Sequence, residues 1–371
     1  MRIVMFCHSL ISDWNHGNAH FLRGLVTALQ NEGHQVDVFE PEDSWSVRNL
    51  VEEYGTGPVD GFHRAYPNLT STRFNEAVLD LDQVLENADL VLVHEWNSHS
   101  LVARLGEHRA YHRGYRLLFH DTHHRSVTAP GDLSAYRLEN YDGVLAFGES
   151  ISERYRANGW GKRVWTFHEA ADITRFYPHP QPPLEGHLVW IGNWGDDERA
   201  EELREFLIEP VQTLGLRARI HGVRYPAHAL ACLREAGIEY AGWIPNYEVP
   251  AEFARFRFTV HVPRRPYAEA LRGIPTIRVF EALACGIPLL SAPWDDSEHL
   301  FTPGEDFLFA YSGEEMKTLM QSLLRDHALA ATLSQHGLKT IRARHTCGHR
   351  ARQLMEICEQ LEMHTGALST H

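Results

Sequence analysis

The chain has 371 residues, enough for two domains, with 43% hydrophobic and 23% charged residues, the composition of a folded globular protein rather than a disordered tail or a small disulfide scaffold. Its 35 Lys and Arg against 49 Asp and Glu leave a formal net charge of −14, so the surface as a whole repels phosphate backbones and anionic membranes, and any phosphate site must be local. No uncharged apolar run approaches the ~20 residues of a membrane span, and Met1–Phe6 is too short for a signal peptide, so no membrane span and a cytoplasmic location are expected.

Short β-rich runs alternate with helical patterns, which predicts an α/β chain of parallel sheets covered by helices on both faces. Arg2–Phe6 reads as a strand; Phe21, Leu22, Leu25, Val26 and Leu29 share one helical face, Gly33 ends that helix, and Gln35–Phe39 follows as a second strand. Residues 43–72 show no clear period and read as a long excursion. Further strands are expected at Leu90–Val93, Arg116–Phe119, Gly143–Phe147 and Val164–Phe167. Asp172–Leu184, with Pro178, Pro180, Pro182 and Pro183, reads as an interdomain linker. The pattern then restarts: strands at Leu188–Ile191, Ala218–His221, Phe258–Val262 and Pro288–Ser291, helices at Arg199–Leu214, Pro250–Arg255 and Arg278–Ala284. Helical segments Glu314–Arg325, Ala328–His345 and Gly348–Leu361 close the chain. The expected division is therefore 1–171, a linker 172–184, 185–347, and a C-terminal helix in 348–371 that packs back on the first domain. Cys7, Cys232, Cys285, Cys347 and Cys358 are odd in number and not at zinc-ribbon spacing, as for free thiols in a reducing compartment.

Open α/β sheets bind ligands beyond the carboxyl ends of their strands, so the strand-end residues carry the functional reading. The Gly17–Asn18 loop stands between His16 and His20; Asn18 reads first as a helix cap, and helix amides there also suit a polar ligand. His120–Asp121–Thr122–His123–His124 is dense in groups that hydrogen-bond hydroxyls, with Asp121 placed to orient an imidazole. A metal reading of His120, His123 and His124 competes but is weak in a chain with 25 histidines. His94–Glu95 and His168–Glu169 follow other strands of the same domain and carry the same ambiguity between site and structure.

In the second half, Gly192, Asn193 and Gly195 form a glycine turn, and Arg199 opens the next helix, where carboxylates are usual. A bound diphosphate accounts for that cation; pairing with Glu202 or Glu205 accounts for it equally well. The run Arg272–Pro288 is the most informative. Gly273, Ile274, Pro275, Thr276 and Ile277 form a loop entering a short helix that Gly286 ends. Glu281 can accept the vicinal hydroxyls of a ribose while Arg278 and the loop amides hold phosphate, or it is only a helix residue facing the dipole.

Here the sequence resembles the CgeB-like (spore maturation protein) glycosyltransferases, related to the retaining family-four enzymes, over nearly the whole chain. Arg278–Pro288 resembles their nucleotide-sugar motif, Phe301–Asp306 the segment after it, Ala170–Pro178 the interdomain crossing, Ala241–Pro245, with Trp243 and Ile244, the nucleobase turn, and His120–Asp121 the His-Asp of the acceptor side. The sequence departs from family four at Gly273, where a glutamate is usual, and at Asn193, where an arginine is usual, while Arg199 stands in the place of a lysine. The resemblance implies a GT-B fold, two facing Rossmann-like doubly wound domains with a cleft between them. It also implies sugar transfer from a nucleoside-diphosphate sugar to a hydroxyl of an unspecified small-molecule, glycan or protein acceptor, with retention and without metal or cofactor. His120 and Asp121 are then catalytic. Gly192, Asn193, Arg199, Trp243, Ile244, Gly273, Ile274, Pro275, Thr276, Ile277, Arg278 and Glu281 bind the donor; Gly17, Asn18, His94, Glu95, His123 and His124 lie on the acceptor side. A nucleotide-sugar 2-epimerase and a catalytically silent nucleotide-sugar-binding partner protein are the alternatives; the overall charge and lack of a basic stripe speak against nucleic acid.

Overall fold

The computed structural model describes residues 1–180 and 182–368; residue 181 of the expected linker and residues 369–371 of the C-terminal segment lie outside the described residues. Two compact units divide the chain. The first is Met1–Glu169 together with the segment from Cys347 onward, and the second is Ala170–Thr346. The segment expected to begin the linker is thus counted with the second unit: Phe176 is fully buried, and Asp172 accepts hydrogen bonds from the Thr174 amide and hydroxyl at 3.0 and 2.6 Å.

The first unit holds seven parallel strands: β1 (Arg2–Phe6), β2 (Gln35–Pro41), β3 (Ser71–Phe74), β4 (Leu90–His94), β5 (Arg116–Asp121), β6 (Gly143–Ala146) and β7 (Val164–Thr166), in the order β3-β2-β1-β4-β5-β6-β7. The central strands β4 and β5 carry the buried apolar runs Leu90–Val93 and Leu117–Phe119, as in a parallel sheet covered by helices on both faces. Met5 of β1 is aligned with Val38 on one side and Leu92 on the other. The strand order reverses between β1 and β4, which opens a crevice at their carboxyl ends.

The stretch 43–72 is not a structureless excursion. It forms the helices Trp45–Tyr54 and Gly57–Ala65 and then edge strand β3. Each helix is too short to show a period, and each buries only a few side chains, Val47 and Leu50 in one and Phe62 in the other. Arg23 compensates: fully buried, it donates to Asp13 and to the carbonyls of Leu10 and Ile11 and lies 4.9 Å from the ring centre of Phe62, so a cation closes this part of the core.

The helix Cys347–Leu368 belongs to the first unit and packs on the helix Ala19–Asn31. Ala351, Leu354, Ile357, Cys358 and Leu361 supply its buried face. Polar contacts fix its register: Gln353 donates to the Thr166 carbonyl at 2.9 Å, Trp165 to Gln360 at 3.0 Å, and Arg116 pairs with Glu362.

The second unit has six parallel strands: β8 (Leu188–Ile191), β9 (Ala218–His221), β10 (Glu239–Gly242), β11 (Phe258–His261), β12 (Leu289–Ser291) and β13 (Leu308–Phe309), in the order β10-β9-β8-β11-β12-β13. Its reversal falls between β8 and β11. The helix expected from Arg199 begins at Ala200 and widens into a π turn over Arg204–Ile208 before Glu209–Leu214. Pro210 has no N–H to donate and would crowd the carbonyl one turn back, and the wider turn relieves both. Asp306, in the segment after the nucleotide-sugar-like run, is structural: it accepts from the Thr302 amide and the Thr340 hydroxyl, each at 2.8 Å.

Candidate functional site

Each unit gathers polar side chains at its switch point. In the second unit Arg199 is the centre. It stands just before the helix Ala200–Leu203, and its guanidinium crosses the switch point, donating to the carbonyl of Val262 beyond β11 at 3.1 Å and to that of Asn193 beyond β8. The side chain lies over Trp190, 5.1 Å from the ring centre, and across Gly195, which takes φ +84°; a Cβ there would stand 2.6 Å from the Arg199 Nε. The salt-bridged reading fails for a simple reason: Glu202 pairs with Arg265 at 2.6 Å, and Glu205 accepts from the Gly313 amide at 3.0 Å. Burial and the neighbouring cations Arg264 and Arg278 bring the Arg199 pKa down to about 9, and its Nε has no partner among the described residues. Arg264 and Arg278 pair with Glu198 and Glu281, so Arg199, whose charge burial disfavours most, is the cation that an incoming anion would relieve.

The loop 273–278 reaches the same place. Gly273, Ile274, Pro275 and Ile277 are buried, while Thr276 and Arg278 keep some exposure. Thr276 does not cap the helix Ile277–Cys285; its hydroxyl bonds His261 Nε2 at 3.1 Å, and the other ring nitrogen of His261 meets Ser291 Oγ at 2.9 Å. The helix N-terminus beside Arg278 is therefore not capped by the Thr276 side chain, which suits an anion. Burial, with Arg199 nearby, lowers His261 to about 3, so its ring is neutral. His261 and Arg264 escaped the sequence reading because nothing in their local pattern marks them; only the pairing of β11 with β8 places them at the switch point.

Glu281 is fully buried. Asn246 donates to Oε1 at 2.7 Å and Arg278 to Oε2. The reading of Glu281 as a carboxylate merely facing the dipole thus falls, and a ribose reaching it must share it with these two groups. Asn246 also ties Glu281 to the turn after β10 that carries Trp243 and Ile244. Asn193 and Gly192 serve the turn itself: Asn193 Oδ1 accepts from the Val223 amide and the Gly192 carbonyl from the Tyr225 hydroxyl, each at 2.9 Å. Gly222 lies so close to Gly192 that a Cβ there would stand 2.1 Å from the Gly192 carbonyl oxygen.

In the first unit, His94, the last residue of β4, and His120, the last but one of β5, are in register, their ring centres 4.5 Å apart. Both are buried, and none of their four ring nitrogens has a partner among the described residues. Burial brings His120 to about 3 and holds His94 well below its ordinary value, with His120 as a further cause for the latter; both rings are neutral. Around them stand His16 and His8, ring centres 5.3 Å apart, and Trp45, stacked on His8 at 4.5 Å. Trp96 packs against His123 at 4.9 Å, and His124 bonds Thr128 at 3.0 Å.

Asp121 does not orient an imidazole. It accepts from the Tyr155 hydroxyl at 2.9 Å and the His123 amide at 3.0 Å, and it neighbours Glu95 in a buried pair. Burial raises both carboxyls, and Asp121 raises Glu95 further while Arg125 opposes. Asn18 is not a cap either: among the described residues its side chain caps no amide of its own helix and donates instead to Glu169 at 2.7 Å, which anchors the Gly17–Asn18 loop to the segment after β7.

Residues 199–356 match a family model described as glycosyl transferase-like. No curated protein sequence matches the chain. Among solved structures, sucrose-phosphate synthase from Thermosynechococcus elongatus is 17% identical with TM-score 0.66, over 98% of this chain and 99% of that one. Anabaena HepE in complex with UDP and glucose is 14% identical with TM-score 0.67, over 97% and 99%. An alpha-glucosyltransferase in complex with UDP and a 13-mer DNA is 12% identical with TM-score 0.68, over 97% and 99%. The chain therefore has the GT-B fold, two Rossmann-like parallel-sheet domains, and its residues 199–356, most of the second unit and the start of the helix Cys347–Leu368, are similar to a glycosyl transferase-like domain.

Proposed function

We propose that this enzyme transfers a sugar from a nucleoside-diphosphate sugar to a hydroxyl of a polyhydroxylated acceptor, with retention at the anomeric carbon and without a metal or cofactor in the reaction, in the manner of the CgeB-like enzymes it resembles. The observation that carries the donor assignment is the buried Arg199 guanidinium at the β8–β11 switch point, its Nε without a partner among the described residues, with Arg264 and Arg278 nearby and the N-terminus of Ile277–Cys285 not capped by Thr276. A diphosphate there would balance the positive charge, its oxygens accepting hydrogen bonds from guanidinium N–H groups and helix amides. The nucleotides in two solved relatives, UDP in HepE and in the alpha-glucosyltransferase, support the same donor class.

In the step proposed, the bond from the anomeric carbon to the β-phosphate oxygen breaks while the acceptor oxygen bonds that carbon on the same face. The acceptor proton passes to the departing phosphate oxygen. Charge grows on the diphosphate, and the arginines stabilise it without an ion; no carboxylate nucleophile is needed. His94 and His120, neutral and with unengaged nitrogens, suit acceptor hydroxyls, to which each ring can both donate and accept. The net charge of −14 argues against a DNA acceptor.

The test is release of nucleoside diphosphate from a panel of UDP, GDP, dTDP and CDP sugars, with and without oligosaccharide acceptors, in EDTA. Acceptor-dependent release that survives EDTA supports the reading. Donor converted to an epimer with no acceptor present, or activity abolished by EDTA and restored by Mg²⁺ or Mn²⁺, overturns it.

A further inference from the structure

The opposite end of the first sheet holds a second cluster. His108, in the helix His99–Tyr111, and His112 just beyond it are four residues apart and share a face. Their rings stack, centres 4.2 Å apart and 17° from parallel. Asp82, from the short helix Leu81–Val84, brings Oδ1 to 3.1 Å from His108 Nε2 and 3.6 Å from His112 Nε2. A tetrahedral ion with bonds of ~2.0–2.1 Å spaces its ligand atoms roughly 3.3 Å apart, so these separations match those around a bound ion.

The rest of the arrangement agrees. His108 Nδ1 meets the hydroxyl of the buried Tyr115 at 2.8 Å. A hydroxyl both donates and accepts, so it holds the ring from behind whichever tautomer leaves Nε2 free to bind, as partners of metal-bound histidines do. Asp82 and His112 are 77% and 56% exposed, which leaves the outer side of the cluster open to water for the remaining coordination positions. Two imidazoles and one carboxylate favour Zn²⁺ and its neighbours over Mg²⁺ or Ca²⁺, which take oxygen ligands. The cluster adjoins Asp89 and Tyr115–Arg116, where β4 and β5 begin, whereas His94 and His120 lie toward the far ends of those strands. The five residues of β4 separate them, about 16 Å at 3.3 Å per residue.

We propose that Asp82, His108 and His112 form a binding site for a divalent transition metal of the Zn²⁺ class, remote from the transfer chemistry, which ties the segment before β4 to the end of helix His99–Tyr111. The experiment uses the full chain, stripped with EDTA and dialysed. ZnCl₂ is titrated by calorimetry, and melting is followed with ZnCl₂ or MgCl₂, for the parent, His112→Ala and Asp82→Asn. Both substituted side chains are exposed, and circular dichroism checks that the fold is kept. The expected result is one such site per chain with micromolar Zn²⁺ affinity, a rise in Tm with Zn²⁺ but not with Mg²⁺, and at least fivefold weaker binding in both variants. Absence of Zn²⁺ binding in the parent, or a loss below fivefold in either variant, the mark of ions held by other histidines, overturns the proposal. Activity plays no part in this readout, so it stands or falls separately from the transfer reaction.

Discussion

Arg199 shows how one side chain depends on a glycine. Its guanidinium crosses Gly195 on the way to the Asn193 and Val262 carbonyls. Gly195→Ala is therefore expected to shift Arg199 and weaken donor binding at least tenfold, with strain added because φ is +84° there; isothermal titration with the nucleotide measures it. His120→Ala is expected to lower kcat by more than tenfold with little change in donor KM, because its ring serves the acceptor and not the nucleotide. A rise in donor KM at constant kcat would move His120 out of that role. The individual donor-loop and histidine candidates were readable from sequence because residue type and strand-end position suffice to nominate them. Their bonding was not: that Asp121 turns to Tyr155 and Asn18 to Glu169 follows from contacts across 34 and 151 residues.

Elements were readable where burial imposes a long pattern. β1, β4 and β5 each carry an apolar run, Ile3–Phe6, Leu90–Val93 and Leu117–Phe119, and the helix Ala19–Asn31 buries one full face. They were unreadable where an element is short or at an edge. The helices of residues 45–65 bury two or three side chains each or fewer, β10 is half exposed, and β13 has two residues. The helix Cys347–Leu368 gives a test at this scale. Leu354 is fully buried in it, and Leu354→Ala is expected to destabilise the first unit by about 2–5 kcal/mol, with chemical denaturation as the measurement. Nucleotide affinity should stay within twofold, since the donor residues belong to the second unit; a joint loss of stability and affinity would contradict this assignment.

For the molecule as a whole, acid sensitivity follows from its buried histidines. His8 is lowered to about 4, His120 and His261 to about 3, and His16 and His94 well below the ordinary value, in each case chiefly by burial. An unfolded chain binds protons at these rings below pH ~6.5 and the folded one does not, so stability falls as pH drops from 6.5 toward 4, by about 1.4 kcal/mol per pH unit for each fully titrating ring. The raised carboxyls Glu95 and Asp121 act in the opposite sense, losing stability as pH rises above their unfolded values. Asp296 is raised by burial as well, and five rings outweigh three carboxyls, so the first melting transition should fall steadily between pH 6.5 and 4.5; a flat profile would mean that the rings protonate within the fold.

The most direct measurement is calorimetric binding of UDP, UMP and uridine to the parent and to Arg199→Ala. If the arginine cluster at the β8–β11 switch point receives the diphosphate, UDP binds at least tenfold tighter than UMP, uridine binds weakest, and Arg199→Ala removes most of the UDP advantage. Equal affinity for the three, or a UDP preference untouched by Arg199→Ala, would contradict the placement of the donor.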